Sequence, residues 1–194
     1  MLSFTEDLEA ARRVHGGRHY CHGLVLGVRL ARVGCRLLGL EDPAHYRDLM
    51  VYAETDRCAA DAVSGVTGAT LGRRRLKWVD YGKFAATFLD LATGRAVRVW
   101  ARSDVPHGRP EQDAVEMWAG FTDDELFGWD WVEVEVPVCD LPGRPRCRVR
   151  CEACGEEVRD GRHRRVEGRN LCRACAGGAY YSVKRLQRDG ASAA

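Results

Sequence analysis

Apolar residues first fall into a regular interval at Leu8, Ala11 and Val14, and Ser3 with Glu6 ahead of them has capping-box spacing, so the pattern predicts a helix that stops at Gly16-Gly17. The next run, Gly23 to Leu38, is largely apolar with Arg29, Arg32 and Arg36 along one stripe; Gly39 is placed for a C-cap and Pro43 lies beyond it. This reads as a mostly buried helix. Gly23, Gly27 and Ala31 repeat every four residues and leave one of its faces bare enough for another backbone to come close. Leu49 to Ala53 is short, apolar and β-prone, and Thr55 or Asp56 is placed to cap a helix from Arg57 to about Val66, after which Gly65 and Gly68 loosen the chain. Strands are predicted at 76–79, 84–89 and 96–100, the last two joined by a turn at 92–95. Pro110 reads as a helix start, Thr122 and Glu125 form a second capping-box pair, and strict alternation from Val132 to Val136 predicts one more strand, ended by Pro137. The expected fold class is α+β, a helix-flanked antiparallel sheet with a small C-terminal module.

The stretch Leu141 to Arg146 holds two prolines and a glycine, which oppose regular structure, and the charge changes sign there. Residues 1–143 carry 17 basic and 22 acidic side chains, a net of −5, while 144–194 carry 13 and 6, a net of +7. The reading is therefore an acidic body over 1–143 and a basic module over 144–194. No apolar run approaches the ~20 residues of a bilayer span, and the first residues lack the basic-then-apolar pattern of a secretory leader, so a soluble, cytoplasmic protein is expected, with no membrane partner.

That compartment decides how the nine cysteines are read. Cys151, Cys154, Cys172 and Cys175 form two C-x-x-C pairs separated by a segment of hairpin length, the spacing that gathers four thiolates around a closed structural zinc site. Disulfides are the weaker reading in a reducing compartment with an odd number of cysteines. A second group of soft ligands lies in the body: His19 and Cys21 just before the buried helix, and Cys58 at the predicted start of the next one, where the helix N-terminus favours thiolate. Asp61 lies one turn after Cys58 on the same face, as a ligand, a supporting partner or a general base. The alternative is that Cys21 and Cys58 are small buried apolar residues, since no fixed spacing ties them together.

His19-x-Cys21-x-Gly23, then Asp56-x-Cys58-Ala59-x-Asp61, then Asp80-Tyr81-Gly82-Lys83, then Thr93-Gly94-Arg95 resemble, in that order, the FmdE family associated with formylmethanofuran dehydrogenase. The resemblance implies an α+β domain, a pocket near the His-Cys loop and the Cys58 helix, and homodimers. The family reads Phe-His-Gly-His-x-Cys-Pro-Gly across the loop; here Gly17 replaces one histidine and His22 the proline, and His22 is placed to substitute for the missing ligand. Lys83 could set a cation near the pocket, or Gly82 could simply make a turn at positive φ. Arg73-Arg74-Arg75 reads as an anion patch or a solvated loop. The C-terminal module, with its basic hairpin from Arg159 to Arg169, is similar to the four-cysteine finger of the DksA/TraR group.

These observations point to an FmdE-like, metal-binding accessory protein concerned with molybdenum or other metal cofactors of formylmethanofuran dehydrogenase-type enzymes, with zinc in its four-cysteine finger. Two alternatives stand beside it. One is a zinc-finger adaptor acting on a protein partner such as RNA polymerase or on nucleic acid, the latter weakened because the hairpin arginines lack interleaved aromatic residues. The other is a zinc- or thiol-dependent enzyme with Cys58, Asp61 and Lys83 as catalytic candidates and His19, Cys21 and Cys58 as the metal set.

Overall fold

The computed structural model describes residues 1–17, 19–109 and 111–183. The chain divides into two compact units, Met1–Val136 with Leu141–Gly143, and Pro137–Asp140 with the chain from Arg144. Among the described residues no helix is long and apolar enough to cross a membrane.

The first unit opens with α1 (Phe4–His15), held at its start by the Ser3/Glu6 capping box and closed by Gly16 in the left-handed conformation, φ 73°. The buried helix is α2 (His22–Leu38), ended by Gly39 at φ 76°. Its arginine stripe binds other elements. Arg32 pairs with Asp7 of α1, and Arg29 and Arg36 both hold Asp123. Burial pushes the Asp7 carboxyl up in spite of Arg32.

Strand β1 (Leu49–Ala53) precedes α3 (Cys58–Thr67), and β2 (Leu76–Trp78), β3 (Ala85–Asp90), β4 (Ala96–Ala101) and β5 (Phe127–Val132) follow. The sheet order is β2-β1-β3-β4-β5. It departs from an all-antiparallel sheet at one edge, because β2 returns beside β1 in the parallel sense after the α3 crossover, with Val51 opposite Leu76. The β3–β4 turn closes as expected: Gly94 has φ 74°, and the Asp90 carboxylate accepts from the Ala92 N–H at 3.0 Å and the Thr93 hydroxyl at 2.6 Å.

Several local expectations are corrected. The alternating segment 132–136 is not a strand; β5 ends at Val132, whose partner Ala96 is the first residue of β4, so nothing remains for Val134 or Val136 to pair with. The helix expected from Pro110, a residue outside the described ones, begins after Asp113 as α4 (Ala114–Ala119), with the Asp113 carboxylate accepting from the Glu116 N–H at 2.8 Å. Thr122 and Glu125 do form a capping box, for the short α5 (Asp123–Leu126). Neither Thr55 nor Asp56 caps α3; its N-cap is Arg57 and makes no side-chain capping bond. Arg75 is no surface patch, being 6% exposed and donating to the carbonyls of Tyr46 and Gly68 at 2.7 and 2.8 Å.

Helix α2 packs on the sheet, α3 packs on α2, and α1 packs on α3, each contact made through a residue without a side chain. An added Cβ on Gly34 of α2 would lie 2.2 Å from the Phe88 ring of β3, and one on Gly27 would lie 2.8 Å from the Ala59 Cα of α3. Gly65, inside α3 rather than at a loosened end, meets α1: its Cβ would fall 2.4 Å from the Ala11 Cα. These contacts fix the register of α3 against both neighbours.

The second unit is made of two small hairpins, β6 (Arg148–Arg150) with β7 (Glu157–Arg159), and β8 (Arg164–Val166) with β9 (Arg169–Leu171), followed by α6 (Arg173–Gly177). Among its described residues Cys151 and Leu171 are the buried apolar side chains, too few to form a core.

Candidate metal centres

The Gly65–Ala11 contact runs α1 and α3 past each other so that four residues forward on α1 and four back on α3 stand His15 and Asp61 face to face. His15 Nδ1 lies 2.9 Å from Asp61 Oδ2. The carboxylate accepts from Nδ1–H, which leaves the Nε2 lone pair available on the far side of the ring. That nitrogen is 3.9 Å from Cys21 Sγ. Cys21 is the N-cap of α2, and its sulfur accepts from the Leu24 N–H at 3.3 Å. Cys58 begins α3 directly beside α2, where an added Cβ on Gly23 would lie only 3.7 Å from its sulfur. One donor atom each from His15, Cys21 and Cys58 lies within 4.8 Å of the others, all three residues half-buried.

The Gly23–Gly27 face of α2 thus admits the Cys58 helix, and the two cysteines meet across 36 intervening residues. The imidazole is not the one expected. His19 is exposed, and His15, the last residue of α1, takes its place. His22 does not join the cluster either, whose donors are His15, Cys21 and Cys58; its Nε2–H donates to the Arg109 carbonyl at 2.8 Å. Lys83 is exposed with its ammonium 5.7 Å from the Tyr81 ring centre, and Gly82 has φ 63°, so this motif makes a turn. The signal that was available for His15 is its place in the last turn of α1, six residues before Cys21.

The helix N-terminus does not by itself make Cys58 a thiolate. Burial, and then the neighbouring Cys21 thiol, push the Cys58 thiol up. Two crowded sulfurs beside an imidazole nitrogen are a soft donor set that fits a borderline cation such as zinc, whose charge removes the obstacle to ionising both thiols. Asp61 then stands behind the imidazole, as the supporting carboxylate does in many histidine–zinc sites.

In the second unit Cys151 and Cys154 occupy the turn between β6 and β7, while Cys172 and Cys175 sit at the start of α6, so the first knuckle closes a hairpin and the second follows one. The four sulfurs lie within 4.8 Å of one another, with Cys154 and Cys172 Sγ 4.0 Å apart. Backbone N–H groups point at the sulfurs: Cys172 N–H donates to Cys151 at 3.2 Å and Cys175 N–H to Cys172 at 3.4 Å. Backbone donors from Cys154 and Cys172 lower the Cys151 thiol to about 6, whereas the thiols of Cys172 and Cys154 raise Cys175 to about 12. Four ionised sulfurs cannot be held so close without a cation, and this donor set fits a closed tetrahedral zinc site. The basic character of this unit is partly consumed internally, since Arg159 and Arg148 pair with Glu157, Arg169 with Glu152 and Arg162 with Asp140.

Comparison with known proteins follows the same division. The family described as "FmdE, Molybdenum formylmethanofuran dehydrogenase operon" matches residues 14–125, a span that includes His15, and the prokaryotic dksA/traR C4-type zinc finger matches residues 148–181. The chain is 29% identical over 211 aligned positions to a protein of Archaeoglobus fulgidus described as a probable S-adenosyl-L-methionine-binding protein, covering 92% of this chain and 54% of that one. It therefore spans about half the length of that relative. Its fold is similar to the crystal structure of a tungsten formylmethanofuran dehydrogenase FmdE-like protein from Syntrophus aciditrophicus, with a TM-score of 0.58 at 22% identity, covering 93% of this chain and 96% of that one.

Proposed function

The chain belongs to the FmdE family, and from that premise we propose that it is a metal-binding accessory protein that handles a metal for cofactor-containing enzymes of the formylmethanofuran dehydrogenase kind. The observation that carries this reading is the His15–Cys21–Cys58 cluster backed by Asp61. Three soft donors fill three corners of a tetrahedron and leave one for an incoming ligand, which is what a site that loads and releases metal requires; four sulfurs leave none. In this reading His15 presents Nε2 in the correct tautomer because Asp61 holds Nδ1–H, and the two half-buried thiols give up their protons on binding. Asp61 is then an orienting group, which speaks against its use as a general base in a hydrolase.

Zinc content separates the two sites. Wild-type protein is expected to hold about two equivalents and Cys58→Ser about one, because loss of a thiolate from a three-donor site removes most of its affinity. Mass-spectrometric metal analysis that finds one equivalent in both proteins would overturn the proposal.

A second reading is favoured by a cleft of about 480 Å³ beside Asp61, lined by Val14, Thr55, Asp56, Asp61, Leu71 and Trp78. Trp78 is 53% exposed, and the two carboxylates make the cleft acidic. A cationic sulfonium bearing an adenine suits such a wall through ring stacking and charge, and the description of the archaeal relative supports S-adenosylmethionine as that ligand. Calorimetry should then show S-adenosylmethionine binding more tightly than S-adenosylhomocysteine, which lacks the sulfonium charge; equal affinity, or none for either, removes this reading.

A further inference from the structure

The cysteines outside the two metal clusters are Cys35, Cys139 and Cys147. Cys35 is sealed in the core of the first unit, where burial pushes its thiol up to about 12 and leaves it inert. Cys139 and Cys147 are different. Both belong to the second unit, both are half-buried thiols within reach of solvent, and both lie before the span 148–181 that matches the zinc-finger family.

One turn holds them both. Between β7 and β8 the chain passes through Asp160 at φ 56° and Gly161 at φ 67°. The Asp160 N–H donates to the Cys147 carbonyl at 2.9 Å. On the other side Arg162 anchors the residue after Cys139: one guanidinium N–H donates to Asp140 Oδ1 at 2.5 Å and another to the Asp160 carbonyl at 3.1 Å. Gly161 comes between these two anchoring residues in sequence, and both sulfurs approach it. An added Cβ would lie 3.4 Å from Cys139 Sγ and 4.0 Å from Cys147 Sγ. Two thiols from separate stretches of chain thus converge on a residue that has no side chain to cover them. The seven residues that they enclose, Asp140 to Arg146, include Pro142, Gly143 and Pro145. Because the turn already brings the ends of this stretch together, most of the entropy of closing it is met in the folded state.

We propose that Cys139 and Cys147 are an oxidation site, a dithiol that hydrogen peroxide closes into a disulfide. One thiol attacks the peroxide: its sulfur bonds to one oxygen as the O–O bond breaks, which gives a sulfenic acid and one water. The second thiol attacks the sulfenic sulfur, the S–O bond breaks, and the hydroxyl leaves with that thiol's proton as a second water. The two sulfurs give up two electrons and the peroxide takes them. The bond pins the Pro137–Asp140 segment to the finger without the help of zinc, and it turns the proline-rich stretch between the cysteines into a closed ring. The four clustered sulfurs take no part while zinc holds them.

The test is peptide mapping of the intact, zinc-loaded protein after brief exposure to hydrogen peroxide, with the remaining thiols alkylated in denaturant and chelator before digestion. Trypsin cuts after Arg146, between the two cysteines, so the bond joins two peptides that reduction separates. The wild type is expected to yield this linked pair and to lose two alkylatable thiols per chain, with its zinc content unchanged. Cys139→Ser and Cys147→Ser should each give no link, and one of them should instead carry a sulfenic acid that dimedone traps; wild-type zinc content in both variants shows that the finger stays folded. The proposal is overturned if peroxide leaves both cysteines as thiols while oxidising others, or links either of them to a cysteine elsewhere. It is also overturned by a third equivalent of zinc that Cys139→Ser loses, which would make the pair a metal site.

Discussion

Replacing Cys154 with serine is expected to release one equivalent of zinc and to unfold the second unit while the first unit keeps its structure. The unit's strands are three residues each, and Cys151 and Leu171 are its buried apolar side chains among the described residues, so burial cannot offset the entropy of ordering it. Metal ligation supplies the difference, on the order of 10–16 kcal/mol for structural zinc held by peptide-sized modules. Limited proteolysis should then cut within 144–183 in the variant and spare it in the wild type, with zinc counted on the same samples. A variant that keeps both its zinc and its protease resistance would remove the zinc assignment for these cysteines.

The parts of this molecule that could be read from the chain are those governed by neighbours in sequence. Ser3 with Glu6 and Thr122 with Glu125 cap their helices because a capping box is closed within four residues. Gly16, Gly39 and Gly94 take the left-handed conformations that their turns require. The four-cysteine cluster was legible for a similar reason, since each C-x-x-C pair is a local knuckle and only the hairpin between the pairs has to close. What escaped was set by contacts between distant segments. Val132 to Val136 has the alternation of a strand, but a strand also needs a partner, and β4 begins opposite Val132. The parallel placement of β2 depends on the α3 crossover and leaves no mark in Leu76 to Trp78 themselves. His15 was missed because its role is created by α3: without Asp61 opposite, the last residue of α1 is an ordinary helix-end histidine. His19 has the spacing to Cys21 that the family resemblance singled out, yet the chain after Gly16 leaves it exposed.

That dependence gives the second large effect, at a position far in sequence from any donor atom except Cys58 and Asp61. Gly65→Ala adds one methyl where α3 crosses α1, and that methyl would sit 2.4 Å from the Ala11 Cα and 2.6 Å from its nitrogen. Both neighbours are backbone, so no side chain can rotate aside and α1 itself has to move. Alanine's better helix propensity returns about 0.5–1 kcal/mol, against about 1–3 kcal/mol or more for overpacking a close-packed crossing. The net expectation is a loss of at least about 1 kcal/mol, read as a fall of about 2–4 °C or more in the melting of the first unit. The same displacement carries His15 away from Asp61 and Cys21, since Ala11 lies one turn before His15 just as Asp61 lies one turn before Gly65. Zinc content should accordingly drop by about one equivalent while the four-cysteine unit retains its own. Gly72→Ala is the matched control, because an added Cβ there meets nothing within 4 Å. A Gly65→Ala protein that melts at the wild-type temperature with full zinc would show that the crossing does not position the site, and the link drawn from Gly65 through α1 to the metal ligands would have to be abandoned.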